Sequence, residues 1–286
     1  MTPREEQLRA EICEVGRRVY ARGYVASNDG NISVRLDDRH LLATPKSVSK
    51  GFMTPDMMVV TDMEGRKVAG HRDASTELKM HLAVYEVRPD VNAVVHAHPP
   101  LSTGFAVAGI PLNKSSLAEI IFSLGSVPIA EYATPSTQEL PDAVKRYVTA
   151  HDGLLLANHG ALTCGQDLMN AYFKMETMEH FAQITLVARQ LGRENLISRE
   201  EVDRLQGLRD FYGIKSPAPI CTDPSDVSGD AATCQFVEAP ASDGPRIVPS
   251  FVSPAGSGGE GAEIRLTYRE LSALIADAVR QVTRDA

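Results

Sequence analysis

The sequence changes character abruptly near residue 217, and this change limits where a packed core can form. Residues 1–216 alternate apolar-periodic segments with short turns, whereas residues 217–263 are rich in Pro, Gly, Ser and Ala and carry almost only acidic charge. A segment of that composition cannot bury enough apolar surface to offset the entropy that it loses on ordering. We therefore predict a folded domain over residues 1–216, followed by a disordered linker over residues 217–263.

Predicted helices and strands are interleaved within the first 216 residues. Helical spacing of apolar residues and capping residues predict the helices, and short apolar or alternating runs predict the strands. The helices are expected at residues 4–22, 75–86, 116–124, 138–150, 167–191 and 199–211, and the strands at 31–36, 40–44, 58–61, 91–98 and 154–158. Interleaving in one block is typical of an α/β protein whose sheet is covered by helices on both faces.

Charge and composition argue against several classes of protein. The chain has 29 Lys and Arg against 37 Asp and Glu and lacks a basic run, so it is a poor candidate for binding nucleic acid or an anionic membrane. It has no apolar stretch near the ~20 residues that a membrane span needs, and its first residues do not form a secretory signal. Four widely spaced cysteines do not make a disulfide scaffold. We expect a reduced, cytoplasmic protein.

The strongest chemical signal is His96-Ala97-His98-Pro99, which ends the apolar run that begins at Val91. Side chains at positions i and i+2 of a strand project from the same face. Two imidazoles at that spacing can hold one divalent metal, although a single histidine at a strand end is more often structural. The pattern favours a metal pair at His96 and His98.

A third histidine lies in Asn158-His159-Gly160, directly after the apolar strand that begins at Gly153. Gly160 would let the backbone turn sharply and present the imidazole at the sheet edge. Taken alone, this pattern is more typical of a capped strand end. Together with His96 and His98, it would give a three-histidine site with an open coordination position.

Two short segments carry groups that suit an anion. Ser75-Thr76-Glu77 opens a predicted helix, where hydroxyls are usually only caps but where free N–H groups also bind phosphate. Gly30-Asn31 precedes an alternating strand and is commonly just a turn, but it could offer a backbone nest and an amide.

Two further residues have both a structural and a functional interpretation. His81 lies four residues after Glu77 on the same helical face, and we expect it in the core or just outside the metal ligands. Tyr212, in Phe211-Tyr212-Gly213, would either pack against the last core helix or reach a neighbouring site as an acid.

In combination these segments resemble one family. GNISVR, STE, HAHP, YATPST, ANHG and FYG occur in the order and spacing of the class II aldolase/adducin family, over about residues 5–215. Within that family the chain is similar to the L-fuculose 1-phosphate aldolases. The resemblance implies a three-layer α/β/α fold with a central mixed, largely antiparallel sheet.

The resemblance also implies the residues of a site. His96, His98 and His159 would hold zinc, or another divalent metal such as manganese. Glu77 would complete the coordination and act as acid and base, and Tyr212 would donate a proton. The implied phosphate site comprises Gly30, Asn31, Ser75 and Thr76. Members of the family are usually homotetramers with active sites between subunits.

The sequence departs from the family pattern at two places. Lys46-Ser47 stands where the aldolases have Thr-Gly, so Lys46 would add a cation to the phosphate pocket and Ser47 would keep one contact. Glu119 falls nearest to a second tyrosine that the family's fuculose enzymes supply from the adjacent subunit.

The implied activity is cleavage of a phosphorylated ketose, of the L-fuculose 1-phosphate type, to dihydroxyacetone phosphate and an aldehyde. A pentulose-phosphate 4-epimerase or a decarboxylase on the same scaffold is the alternative. A non-catalytic module like the adducin heads is disfavoured, because those lack the metal residues and this chain keeps all three histidines and Glu77.

Periodicity returns at the C-terminal end of the chain. Residues 264–286 carry a continuous apolar stripe preceded by a capping box at Thr267 and Glu270. The helix could dock on its own core, but a long tether favours a partner-binding helix. This layout resembles the peptides that target enzymes to bacterial microcompartments, which implies a shell or cargo protein as partner.

Overall fold

In a computed structural model of the protein, the described residues are 2–212, 214 and 217–221. Most of the predicted linker and all of the predicted helix at 264–286 lie outside these residues, so both stay predictions. No helix in the described part of the chain is long and apolar enough to cross a membrane.

A single sheet of eight strands forms the centre of the described part, in the order β4-β3-β2-β1-β5-β8-β7-β6. Neighbouring strands run antiparallel, except that β6 and β7 are parallel. The strands are β1 (Asn31–Arg35), β2 (His40–Ala43), β3 (Val59–Asp62), β4 (Lys67–Ala69), β5 (Ala93–Ala97), β6 (Ile129–Ala130), β7 (Gly153–Leu156) and β8 (Gly160–Gly165). The predicted mixed, largely antiparallel sheet is confirmed.

Helices cover both faces of this sheet. They are α1 (Pro3–Ala21), α2 (Leu78–Val87), α3 (Pro100–Val107), α4 (Ala118–Ser123), α5 (Glu139–Val148), α6 (Leu168–Gln190) and α7 (Arg199–Phe211). Helices α2 and α5 pack together on one face, while α1, α3 and α6 contact the strands from the other. The sequence did not indicate β4, β6, β8 or α3, which are short or, for β8, separated from β7 by only three residues.

Strand alternation divides the apolar residues into two cores. On β5, Ala93 and Val95 belong to the core beneath α1 and α6, whereas Val94 belongs to the core beneath α2 and α5. His96 is two residues after Val94, so it projects towards the face that α2 covers. This arrangement determines which helix can supply a partner to the histidine.

His81 lies in the core, one of the two places expected for it. Its side chain is fully buried, and its Nδ1 lies 2.7 Å from Oγ of Ser33, which also contacts Tyr85. Burial lowers the pKa of His81 to about 4, so the ring is neutral at neutral pH.

The cysteines only partly match their prediction. Cys13 and Cys164 are buried free thiols, as expected for packing residues. Cys221 is disulfide-bonded, so the prediction of a wholly reduced chain is wrong at that residue. Cys221 follows α7 in the chain, is buried, and its N–H donates to Oγ of Ser126 at 2.9 Å.

Candidate metal centre

Sheet pairing brings together histidines that are distant in sequence. Strand β5 pairs with β8 so that His96 lies opposite Leu162 and Ala97 lies opposite Ala161. This register puts the turn between β7 and β8, which carries His159, beside the end of β5. The predicted pair and the predicted third histidine therefore meet at one sheet end.

The three imidazoles converge on a common point. One nitrogen from each of His96, His98 and His159 lies within 4.8 Å of the other two. The Nε2 atoms of His96 and His98 are 3.2 Å apart, and the ring centroids are separated by 4.8 to 5.2 Å. Nitrogens this close around one point match the donor set of a catalytic metal site.

The backbone conformation of the turn that carries His159 differs from the prediction. Asn158 adopts the left-handed backbone conformation, with φ of 54°, while Gly160 has no positive φ. Gly160 is needed for space, because a Cβ there would lie 2.5 Å from Cδ2 of His98 and 2.7 Å from the carbonyl oxygen of Ala97. The expectation that Gly160 makes the sharp turn is therefore wrong.

The protonation of the rings suits a metal. His96 is buried, and its Nδ1 donates to the carbonyl oxygen of Ala161 at 2.9 Å, which leaves the lone pair on Nε2. Burial also lowers the pKa of His96 well below its usual value and lowers that of His98. Neutral imidazoles are the form that binds metal, so these residues fit a divalent cation.

Glu77 supplies the carboxylate of the centre. It is the N-cap of α2, on the sheet face towards which His96 projects. Its Oε1 lies 3.1 Å from Nε2 of His159, its Oε2 lies 3.6 Å from Nε2 of His96, and Nδ2 of Asn31 donates to Oε2 at 2.8 Å. Burial alone would raise the pKa of Glu77, but the hydrogen bond with His159 and the nearby histidines hold it well below its usual value.

The start of α2 also differs from its prediction. The helix begins at Leu78, after Ser75 and Thr76, and not at residue 75. Ser75 Oγ accepts from the N–H of Glu77 at 3.3 Å, within the turn that precedes the helix. Ser75 and Thr76 therefore precede the helix. Both of them line a cavity beside it.

That cavity, of about 210 Å³, adjoins the histidine centre. Glu77 and His98 line it and so belong to both. Its other lining residues are Asn28, Asp29, Gly30, Pro45, Lys46, Ser47, Lys50, Ser75 and Thr76. All of the predicted phosphate-binding residues except Asn31 line this cavity.

Ser47 has a backbone conformation that favours glycine. Its φ is +57°, in the left-handed region that non-glycine residues rarely adopt. Such strain often persists at binding loops, where the surrounding structure holds it. A glycine at this position would adopt the same φ without strain.

Sequence reasoning missed Lys50 as a residue of this cavity. Its side chain is only 2 % exposed, and Nζ donates to the carbonyl oxygens of Asn28 and Val48 at 2.9 and 2.7 Å. Burial lowers its pKa to about 8. The residue looked like an ordinary surface lysine, because its burial depends on how two loops fold over it.

Two predicted residues do not join the centre within one protomer. Tyr212 is 64 % exposed, packs on Phe122, and lines a cavity with Asp90 and Val91, which precede β5 at the end opposite His96. Glu119 is exposed in the first turn of α4, which packs against α6 and α7.

The chain belongs to the class II aldolase and adducin family. Residues 10–186 match the model of the class II aldolase and adducin N-terminal domain, which is more than half of the chain. This agrees with the three-layer fold and with the histidine centre.

Relatives of known activity fall into two groups. A 5-deoxy-D-ribulose 1-phosphate aldolase of Bacillus thuringiensis serovar kurstaki is 32% identical over 209 residues, covering 73% of this chain and 98% of the relative. A 3-oxo-tetronate 4-phosphate decarboxylase of Escherichia coli O6:H1 is 30% identical over 187 residues, covering 64% of this chain and 88% of the relative. The solved structure of an L-fuculose 1-phosphate aldolase matches with a TM-score of 0.67 and 30% sequence identity. The match covers 72% of this chain and 97% of the aldolase chain. The family relationship thus supports a lyase-type enzyme.

We expect the replacement His96→Ala to remove most of the bound divalent metal, because it deletes the most buried of the three imidazoles. The measurement is metal content per chain after zinc loading and dialysis. His40→Ala is the matched control, since His40 pairs with Asp37 on the surface. Unchanged metal content in His96→Ala would contradict the assignment.

Proposed function

We propose that this protein is a metal-dependent lyase that cleaves a phosphorylated ketose, of the L-fuculose 1-phosphate type, to dihydroxyacetone phosphate and an aldehyde. The observation that carries the proposal is the wall shared by the histidine centre and the polar cavity. Because Glu77 and His98 line both, a phosphate in the cavity would hold the neighbouring carbons of the substrate beside the metal ligands.

His96, His98 and His159 would hold the cation, which we propose to be zinc. When bound, a divalent cation supplies Lewis-acid stabilisation of the negative charge that develops on the ketone oxygen during carbon–carbon cleavage. The three imidazoles are uncharged donors, so they leave most of that positive charge available.

Glu77 is proposed as the acid and base. After cleavage an enediolate remains, and one of its carbons must take a proton to give dihydroxyacetone phosphate. The Glu77 carboxylate lies where the cavity meets the histidines, and its hydrogen bond from Asn31 fixes one of its oxygens. In the synthetic direction the same carboxylate would remove that proton.

The cavity is proposed to bind the phosphate through Lys46, Ser75 and Thr76. A phosphate group bound away from the breaking bond contributes binding energy that positions that bond. Two lysines near the cavity, Lys46 and Lys50, oppose the negative charge of Asp29 and of the phosphate.

A decarboxylase is the second candidate, because relatives with that activity are about as similar as the aldolases. Loss of carbon dioxide from a 3-oxo-tetronate 4-phosphate leaves the enediolate of dihydroxyacetone phosphate. Retro-aldol cleavage of a ketose 1-phosphate leaves the same enediolate. The two reactions would therefore share every step that follows cleavage, and they differ in the group that departs.

A product assay distinguishes the two reactions. Metal-loaded protein is given a panel of ketose 1-phosphates and 3-oxo acid phosphates, with dihydroxyacetone phosphate, aldehyde and carbon dioxide measured separately. We expect dihydroxyacetone phosphate and aldehyde in equal amounts from a ketose 1-phosphate. Carbon dioxide as the only co-product would establish the decarboxylase instead, and no cleavage of any substrate would contradict both.

The same assay tests the phosphate site. Lys46→Ala should raise KM about tenfold with kcat nearly unchanged, because it removes a charged contact that substrate and transition state share. Lys145→Ala, at a lysine paired with Glu86 on the surface, is the control. An unchanged KM in Lys46→Ala would remove Lys46 from the phosphate site.

We also propose that the protein is a homotetramer in which Tyr212 of one copy serves the metal centre of its neighbour. Two observations support this: Tyr212 lies at the opposite end of β5 from the histidines of its own chain, and it is largely exposed. The phenol is thus far from the histidines of its own chain, and its proposed role as proton donor would be served at the site of another copy.

Mixed assemblies test this arrangement. His96→Ala chains lack the metal centre and Tyr212→Phe chains lack the phenol, so each pure assembly should be weakly active. Random co-assembly in equal amounts should restore about a quarter of wild-type activity, because that share of neighbouring pairs keeps both intact residues. Activity no higher than the average of the two parents would contradict the shared site.

A further inference from the structure

The two ring nitrogens of His98 face different partners. Nε2 lies 3.2 Å from Nε2 of His96, on the side where the three imidazoles converge. Nδ1 lies 3.4 Å from Oδ2 of Asp29. The ring thus stands between the candidate metal centre and a carboxylate that sequence reasoning did not single out.

The three imidazoles differ in what their second nitrogen contacts. Nδ1 of His96 donates to a backbone carbonyl, that of Ala161. Nδ1 of His159 is buried and has no hydrogen-bond partner among the described residues. Of the three Nδ1 atoms, only that of His98 faces a carboxylate of the described residues, that of Asp29.

The backbone on both sides of Asp29 is held in place. On one side, the carbonyl oxygen of Asn28 accepts from the buried Nζ of Lys50, which also binds the carbonyl oxygen of Val48. On the other side, Gly30 has a φ of +72°, and a Cβ there would lie 2.7 Å from the carbonyl oxygen of His96. Lys50 therefore links the loop that carries Asp29 to the loop that carries Lys46. Gly30 lets the Asp29 loop lie close to β5.

We infer that Asp29 is a positioning residue for the metal centre, whose carboxylate accepts the Nδ1–H of His98. That bond would fix the tautomer with the lone pair on Nε2 and orient the ring towards His96 and His159. A carboxylate behind a metal-binding imidazole also makes the imidazole a stronger donor. This inference goes beyond the proposed function, because it concerns metal affinity whatever the substrate is.

Direct titration of the metal tests the inference without any substrate. Metal-free protein is titrated with zinc against a competing chromophoric chelator at fixed pH. Asp29→Ala should weaken zinc binding by about 10- to 100-fold. Asp29→Asn keeps an acceptor oxygen but loses the charge, so its affinity should lie between those of Asp29→Ala and wild type.

The control is Asp37→Asn, because Asp37 also faces a histidine, His40, at 2.9 Å but on the surface. It should bind zinc like the wild type. Thermal unfolding of the metal-free proteins checks that Asp29→Ala folds normally. Zinc affinity of a folded Asp29→Ala within about twofold of wild type would overturn the inference.

A double-mutant cycle separates positioning from direct ligation. If Asp29 acts through His98, adding Asp29→Ala to His98→Ala should change zinc affinity by less than about twofold. An undiminished effect in that background would show that Asp29 acts on the metal by another route and would overturn the inference. The titration uses no substrate, so either result leaves the proposed reaction to its own assay.

Discussion

The site depends above all on the pairing of β5 with β8. This register sets Ala97 opposite Ala161, and it brings the His159 turn against the His96-Ala97-His98 segment. The contact is so close that Gly160 leaves no room for a Cβ between them. Because side chains alternate along a strand, a slip of one residue would turn His96 to the opposite face, away from the helix that carries Glu77.

The layered fold then gives each component of the site a different environment. His96 is buried against the sheet and stays neutral, whereas Glu77 lies at a helix start between the rings and the cavity. The cavity walls come from three loops. Lys50 joins two of them, and Gly30 lets one of these lie close to β5. The proposed chemistry needs this combination, since a neutral donor set, a proton carrier and an anion site must meet within one substrate length.

The sequence indicated the parts of this arrangement that depend on local patterns. Strand alternation predicted that His96 and His98 share a site, and the order of motifs predicted the family and its sheet. The residues that it missed or misassigned depend on contacts between distant segments. Lys50 is buried only because two loops cover it, and Gly160 is required by a neighbouring strand and not by its own turn. Tyr212 followed the family pattern, but no local signal shows at which end of the sheet its helix ends.

Hydrogen exchange into dihydroxyacetone phosphate is a direct test of the proposed role of Glu77 and the metal, because it isolates the enediolate step that aldolase and decarboxylase would share. Metal-loaded protein is incubated with dihydroxyacetone phosphate in D₂O without an aldehyde, and the proton signal of its hydroxymethyl carbon is followed by NMR. We expect loss of one of the two protons, at a rate that falls sharply in Glu77→Gln and after removal of the metal. Exchange no faster than in buffer, or equally fast in Glu77→Gln, would contradict it.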